Sequence, residues 1–160
     1  MAVKAISKKS SDLGIDYSDF DGAPRGRHCI AFVKLSDNRA LKVYDDRDYR
    51  DGYFKTQRML SNKGLAPGCD DCIDVAMPDG SVKYAFTTIV ADVAFDGYYG
   101  HAKRTDYAFR RGITETKASH DCWELKERLE DAGYIWRDTC IFNYGYVNGR
   151  AVLIDVQLAD

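Results

Sequence analysis

The side chains most capable of chemistry lie far apart in the chain, and most of them have an ordinary use. Cys69 and Cys72 are two residues apart, a gap that lets two thiolates reach one tetrahedral ion, but no second pair at matching spacing follows. The five cysteines are odd in number and scattered, which suits core or loop thiols in a reducing compartment better than a disulfide framework. His28, His101 and His120 stand alone, as surface or satisfied core histidines do. Lys103, Arg104, Arg110 and Arg111 interleave with Tyr107 and Phe109, the composition of a nucleic-acid strip. A formal net charge of -2 supplies no field to draw a polyanion, so these read as solvated loop charges. Lys42 is different. It sits inside an apolar run at residues 40–44, and a lysine on a central strand is rarely worth its desolvation unless its ammonium meets an anion. Asp138, Asn143 and Asp155 have a default role in capping turns, where such side chains bond backbone N–H groups.

The elements that must position these residues are legible from pattern. A chain of 160 residues, 45% hydrophobic and 30% charged, can bury one real core and is expected to form one compact domain. Residues 1–14 are polar and lysine-bearing, without an apolar run of signal or membrane-spanning length and without a glycine after the initiator, and are expected to form a flexible N-terminus. Residues 32–35 and 40–44 flank Ser36, Asp37 and Asn38, which predicts a hairpin carrying Lys42 on its second strand. Residues 48–60 read as a helix with Tyr53, Gln57 and Leu60 on one side, ending at Gly64. Residues 73–77 and 82–90, joined by Pro78, Asp79 and Gly80, predict a second hairpin. Residues 91–118 are poorly periodic and read as linker or short helices. A helix is then expected from Asp121 as its cap, with Glu124 reaching back, Cys122, Leu125, Leu129 and Ala132 on its inner stripe, and Gly133 ending it. Asn148-Gly149 predicts a final two-residue hairpin turn.

Within this frame Trp136, Arg137 and Asp138, then Asn143 five residues after Asp138, then the hairpin, then Leu153, Ile154 and Asp155, resemble the catalytic loop and metal-binding aspartate of the protein-kinase superfamily. Ala40-Leu41-Lys42-Val43 is similar to the family's strand motif whose lysine pairs with the α- and β-phosphates of ATP. The resemblance implies that Asp138 orients or accepts the proton of the attacking hydroxyl, and that Asn143 and Asp155 hold Mg²⁺ as hard oxygen ligands. It implies that Lys42 grips phosphate and acts in catalysis with Asp138. Gly22 and Gly26 stand where the family's glycine-rich loop covers the phosphates; Arg25 and Arg27 add charge there and Pro24 removes an N–H. Residues 84–92 resemble the strand and hinge beside adenine, with Val90, Ala91 and Asp92 as backbone partners.

The implied fold is α+β: a truncated kinase-like domain over residues 15–160. An antiparallel sheet with one helix at 15–92 is followed by a reduced helical part and a terminal hairpin at 93–160. The sequence departs from the family in four places. Lys55, Thr56 and Gln57 stand where an acidic partner for Lys42 belongs, Trp136 replaces the usual histidine or tyrosine, Val156 and Gln157 replace phenylalanine and glycine, and only residues 156–160 follow Asp155. The expected function is therefore a minimal kinase-like protein binding ATP and Mg²⁺, with weak phosphotransfer and no platform for a protein substrate. The alternative is an inactive pseudokinase-like module that engages or inhibits another protein. The surface of residues 122–132, where the full-length family has covering helices, is expected to be covered by residues 91–118 folding back, by a second copy or by a foreign protein. Nucleic acid and membrane are not expected partners. The reduced form resembles kinase-like proteins encoded by bacteriophages, which implies a cytoplasmic setting, that of the host if the chain is viral.

Overall fold

The computed structural model describes residues 3–20, 28–97 and 101–158. Gly22, Pro24, Arg25, Gly26 and Arg27 lie outside the described residues. The chain divides into two compact units, the first formed by Met1–Met59, Gly68–Val90 and Leu158–Asp160 and the second by Leu60–Pro67 and Ala91–Gln157. Among the described residues no helix is long and apolar enough to cross a membrane.

The first unit is built on strands β1 (Ala5–Lys9), β2 (Cys29–Lys34), β3 (Arg39–Tyr44), β4 (Cys69–Ala76) and β5 (Val82–Ile89), with helix α1 (Arg47–Asn62) between β3 and β4. The sheet order is β1-β4-β5-β3-β2. Strand β1 runs parallel to β4 while the other pairs are antiparallel, so the sheet is mixed rather than antiparallel as expected. Residues 5–9, expected in a flexible N-terminus, are thus an edge strand. They are exposed along their whole length and carry no apolar alternation to announce a strand.

Period-two alternation divides the sheet's side chains between two faces. Leu41, Val43, Val33, Ile73, Val75 and Ala85 pack on Ile15 and Phe20 from the segment after β1. Tyr44, Phe86, Cys69 and Cys72 pack on Tyr53 and Phe54 of α1, with Tyr44 stacked on Tyr53 at 5.3 Å and on Phe86 at 6.0 Å. Arg50 of α1 is 1% exposed and pins the helix to the sheet. Its guanidinium donates to the Ile73 and Ala85 carbonyls, paired residues of β4 and β5, and meets Asp51 at 2.6 Å and Asp74 at 3.0 Å.

The second unit contains the short ladder β6 (Phe95–Asp96) with β7 (Lys103–Arg104), helices α2 (Asp106–Arg110) and α3 (Glu115–Asp131), and the hairpin β8 (Tyr144–Val147) with β9 (Arg150–Leu153). The hairpin turn is left-handed at both residues, Asn148 at φ 51° and Gly149 at φ 76°, as the dipeptide predicts. Helix α3 begins six residues before the expected Asp121. Thr114 is its cap, accepting from the Lys117 N–H, and Asp121 is a buried residue of the helix body. The stripe Ala118, Cys122, Leu125 and Leu129 is buried in a core shared with Ala94, Phe95, Ala108, Ile113, Trp136, Tyr144 and Leu153. Residues 94–118 therefore cover the inner stripe of α3, while Trp123 remains 57% exposed.

Candidate functional site

In the first unit Lys42 lies on β3, the strand between β2 and β5, opposite Phe86 of β5. Its Nζ donates to Gln57 Oε1 at 2.8 Å. Gln57 is fully buried on α1, and its other end donates to Thr88 Oγ1 at 2.8 Å, which donates in turn to the Ile89 carbonyl. A neutral amide is thus one partner of the lysine. The sequence carries a signal for it: Gln57 is the one polar residue in the stripe Tyr53, Gln57, Leu60, and a glutamine is kept inside only when both ends of its amide are satisfied.

Cys69 and Cys72 are buried under the same helix, not presented as a metal clip. Burial pushes the Cys69 thiol up to about 11 against the pull of Lys42 and Arg58, and pushes Cys72 up to about 12. Among the described residues no cluster of three His, Cys, Asp or Glu side chains is placed to hold a metal ion.

Some main-chain groups of the expected hinge are bonded within the protein. The Val90 N–H donates to the Asn38 carbonyl, and the N–H and carbonyl of Asp92 are both engaged in a bridge with Tyr146. The Asp92 carbonyl keeps a second lone pair as an acceptor. Among the described residues the Val90 carbonyl and the main-chain groups of Ala91 carry no hydrogen bond. The Asp92–Tyr146 bridge requires glycine at 145, where a Cβ would meet Ala91 Cβ and the Asp92 oxygen, each at 3.0 Å.

In the second unit the structure gathers Asp138, Asn143 and Asp155 at the open end of the β8–β9 hairpin. The pairing of Tyr144 with Leu153 sets Asn143 opposite Ile154, whose N–H donates to the Asn143 carbonyl at 3.4 Å. Asp155 is the next residue and is exposed. The Asn143 side-chain amide donates to the Asp138 carbonyl at 2.8 Å, closing the loop between them. With its NH₂ turned to that carbonyl, the amide oxygen of Asn143 is left as an acceptor. Asp138 is exposed, and its Oδ2 accepts from Gln157 Nε2 at 2.5 Å. The Gln157 main chain is held in both directions by one hydroxyl, since the Gln157 N–H donates to Tyr134 Oη at 2.7 Å and Tyr134 Oη donates to the Gln157 carbonyl at 3.0 Å. Nothing in the sequence marks Gln157 or Tyr134 for these contacts. Arg137 is exposed and Trp136 is buried, so Trp136 acts as core.

The platform under this loop is a buried polar chain. Tyr146 Oη donates to Asp121 Oδ2 at 2.6 Å, Tyr144 Oη donates to the Ala118 carbonyl at 2.7 Å, and Lys117 meets Asp121 Oδ1 at 2.7 Å. Burial pushes the Tyr144 hydroxyl up to about 12, and burial with the neighbouring Asp121 raises Tyr146 further, so both stay protonated and can donate. Strand β8, which begins beside Asn143, is thereby fixed to α3. No protein-family model and no curated protein matches this chain.

Proposed function

We propose that the chain is a minimal kinase-like protein that binds ATP with Mg²⁺ and has at most weak phosphotransfer activity. The observation that carries this reading is the closed loop in which Asn143 bonds the Asp138 carbonyl and pairs with Ile154 beside Asp155, because it presents three hard oxygen groups from one rigid frame. The donor set fits Mg²⁺, which takes one or two protein ligands and completes its octahedron with phosphate and water. When bound, the ion neutralises phosphate charge as the γ-phosphoryl moves. Lys42, held by Gln57, binds the phosphates, and Asp138 takes the acceptor's proton.

Thermal unfolding with ATP, with and without Mg²⁺, tests the reading, since a ligand that binds only the native state raises its stability. Mg·ATP at millimolar concentration is expected to raise the melting temperature, Asp155→Asn to abolish the metal-dependent part, and Lys42→Ala to weaken binding by about tenfold while the protein stays folded. An unchanged melting temperature overturns nucleotide binding. The second reading, an inactive module that engages another protein or a second copy, then takes its place. It is favoured by the exposed Trp123, which lines a cavity of about 340 Å³ with Ser119, Cys122, Cys140 and Phe142 in the second unit.

A further inference from the structure

We propose that Gln157 is a positioning residue that holds the Asp138 carboxylate in one orientation for phosphoryl transfer; the inference rests on the nucleotide reading above. An exposed aspartate on a loop ordinarily samples several rotamers, and a proton acceptor that wanders loses much of what correct placement supplies. Asp138 is restrained by a residue that is itself restrained three ways. Gln157 is anchored through its N–H and its carbonyl to Tyr134, follows the core residue Val156, and reaches Asp138 Oδ2 with its amide. Among the described residues no other group bonds that carboxylate, so Oδ1 is left for a substrate.

The orientation of the amide is fixed by chemistry, because only the NH₂ can face a carboxylate oxygen. The consequence is a cost elsewhere: Gln157 Oε1 is buried and finds no hydrogen-bond partner. Unpaired buried acceptors are uncommon, and sites where a local rule is broken are characteristically functional. In the transfer, the bond from the γ-phosphorus to the β–γ bridging oxygen breaks and leaves with ADP, the acceptor oxygen bonds the γ-phosphorus, and the acceptor's proton passes to Asp138 Oδ1. Gln157 takes no part in these exchanges. It keeps the accepting oxygen where the proton leaves.

The test uses the full chain with Mg·ATP and water as acceptor, reading inorganic phosphate release beside the ligand-induced melting shift. Gln157→Glu has nearly the shape of glutamine but cannot donate at neutral pH, so it separates the hydrogen bond from packing, and Gln157→Ala removes both. Both variants are expected to keep the KM and the melting shift of the parent and to lose about tenfold in kcat. Unchanged or faster turnover in either variant overturns the proposal. So does a parent protein that shifts with Mg·ATP but releases no phosphate, while nucleotide binding itself survives. If the parent shows no shift, the nucleotide reading fails and the positioning role falls with it.

Discussion

Two glutamines hold the two groups on which the proposed chemistry depends, and they do it in opposite senses. In the first unit Gln57 turns its oxygen to the Lys42 ammonium, satisfies its nitrogen on Thr88, and is fully buried. In the second, Gln157 turns its nitrogen to the Asp138 carboxylate from a half-buried position and leaves its oxygen unpaired. An amide can serve either charge because it carries both a donor and an acceptor, and it restrains the charged group without cancelling it. The contrast lies in the setting. The lysine's partner is woven into a polar web inside the core, where it bears on stability, whereas the aspartate's partner sits at a loop margin, where it bears on placement.

The comparison breaks most severely at Arg50, the other polar residue buried between α1 and the first unit's sheet. Arg50→Met removes the cation from Asp51 and Asp74 and the donor from two carbonyls. It is expected to cost about 3 kcal/mol, the low end for a broken buried pair because both carboxylates are a quarter exposed. Urea denaturation reads it, and a loss within the scatter of surface substitutions would mean the web carries little. Next comes the pair itself. Gln57→Ala is expected to cost about 2 kcal/mol, because it removes a buried amide bonded at both ends, whereas Gln157→Ala is expected to stay within about 0.5 kcal/mol of the parent. Equal costs in the same denaturation series would erase the distinction between the two settings.

The smallest effect is a slope. Cys69 and Cys72 in the first unit and Cys122 in the second are raised to about 11, 12 and 11 by burial. The native state keeps these thiols protonated while the unfolded chain releases their protons above about pH 9, so the stability they contribute is present below that pH and is lost as pH rises through 11 to 12. Each thiol adds a loss of about 1.4 kcal/mol per pH unit at most. Replacing Cys72 or Cys122 by alanine is expected to flatten the alkaline slope by about that amount, and removing both thiols of the first unit by about twice as much. A slope indifferent to all three would place the alkaline transition on the tyrosines instead.

The parts of the fold that the sequence announces are those with local punctuation. Asp79-Gly80 and Asn148-Gly149 mark turns, Gly64 ends α1 at φ 72°, and Gly133 ends α3 at φ 84°. Helix α3 is misread at its start because residues 115–121 hold only Ala118 as an inward apolar residue, leaving the polar Asp121, before the apolar stripe, to look like a cap. The four charged or amide residues of the candidate site stand out by type and spacing. Their partners do not, since a glutamine's role depends on which end of its amide meets which neighbour, and that follows from packing. The hinge segment shows the same dependence: whether the Asp92 N–H is engaged depends on Tyr146, more than fifty residues later.

The parallel pairing of β1 has a kinetic consequence. Each hairpin of the first unit closes over a short turn, a microsecond event, but β1 must wait for a partner at residues 72–76. With every side chain exposed it brings almost no apolar surface to speed that encounter, so it contributes loop-closure entropy without early reward. Its addition to the sheet belongs to the late side of the folding barrier, and weakening β1 should quicken unfolding while leaving the folding rate nearly untouched.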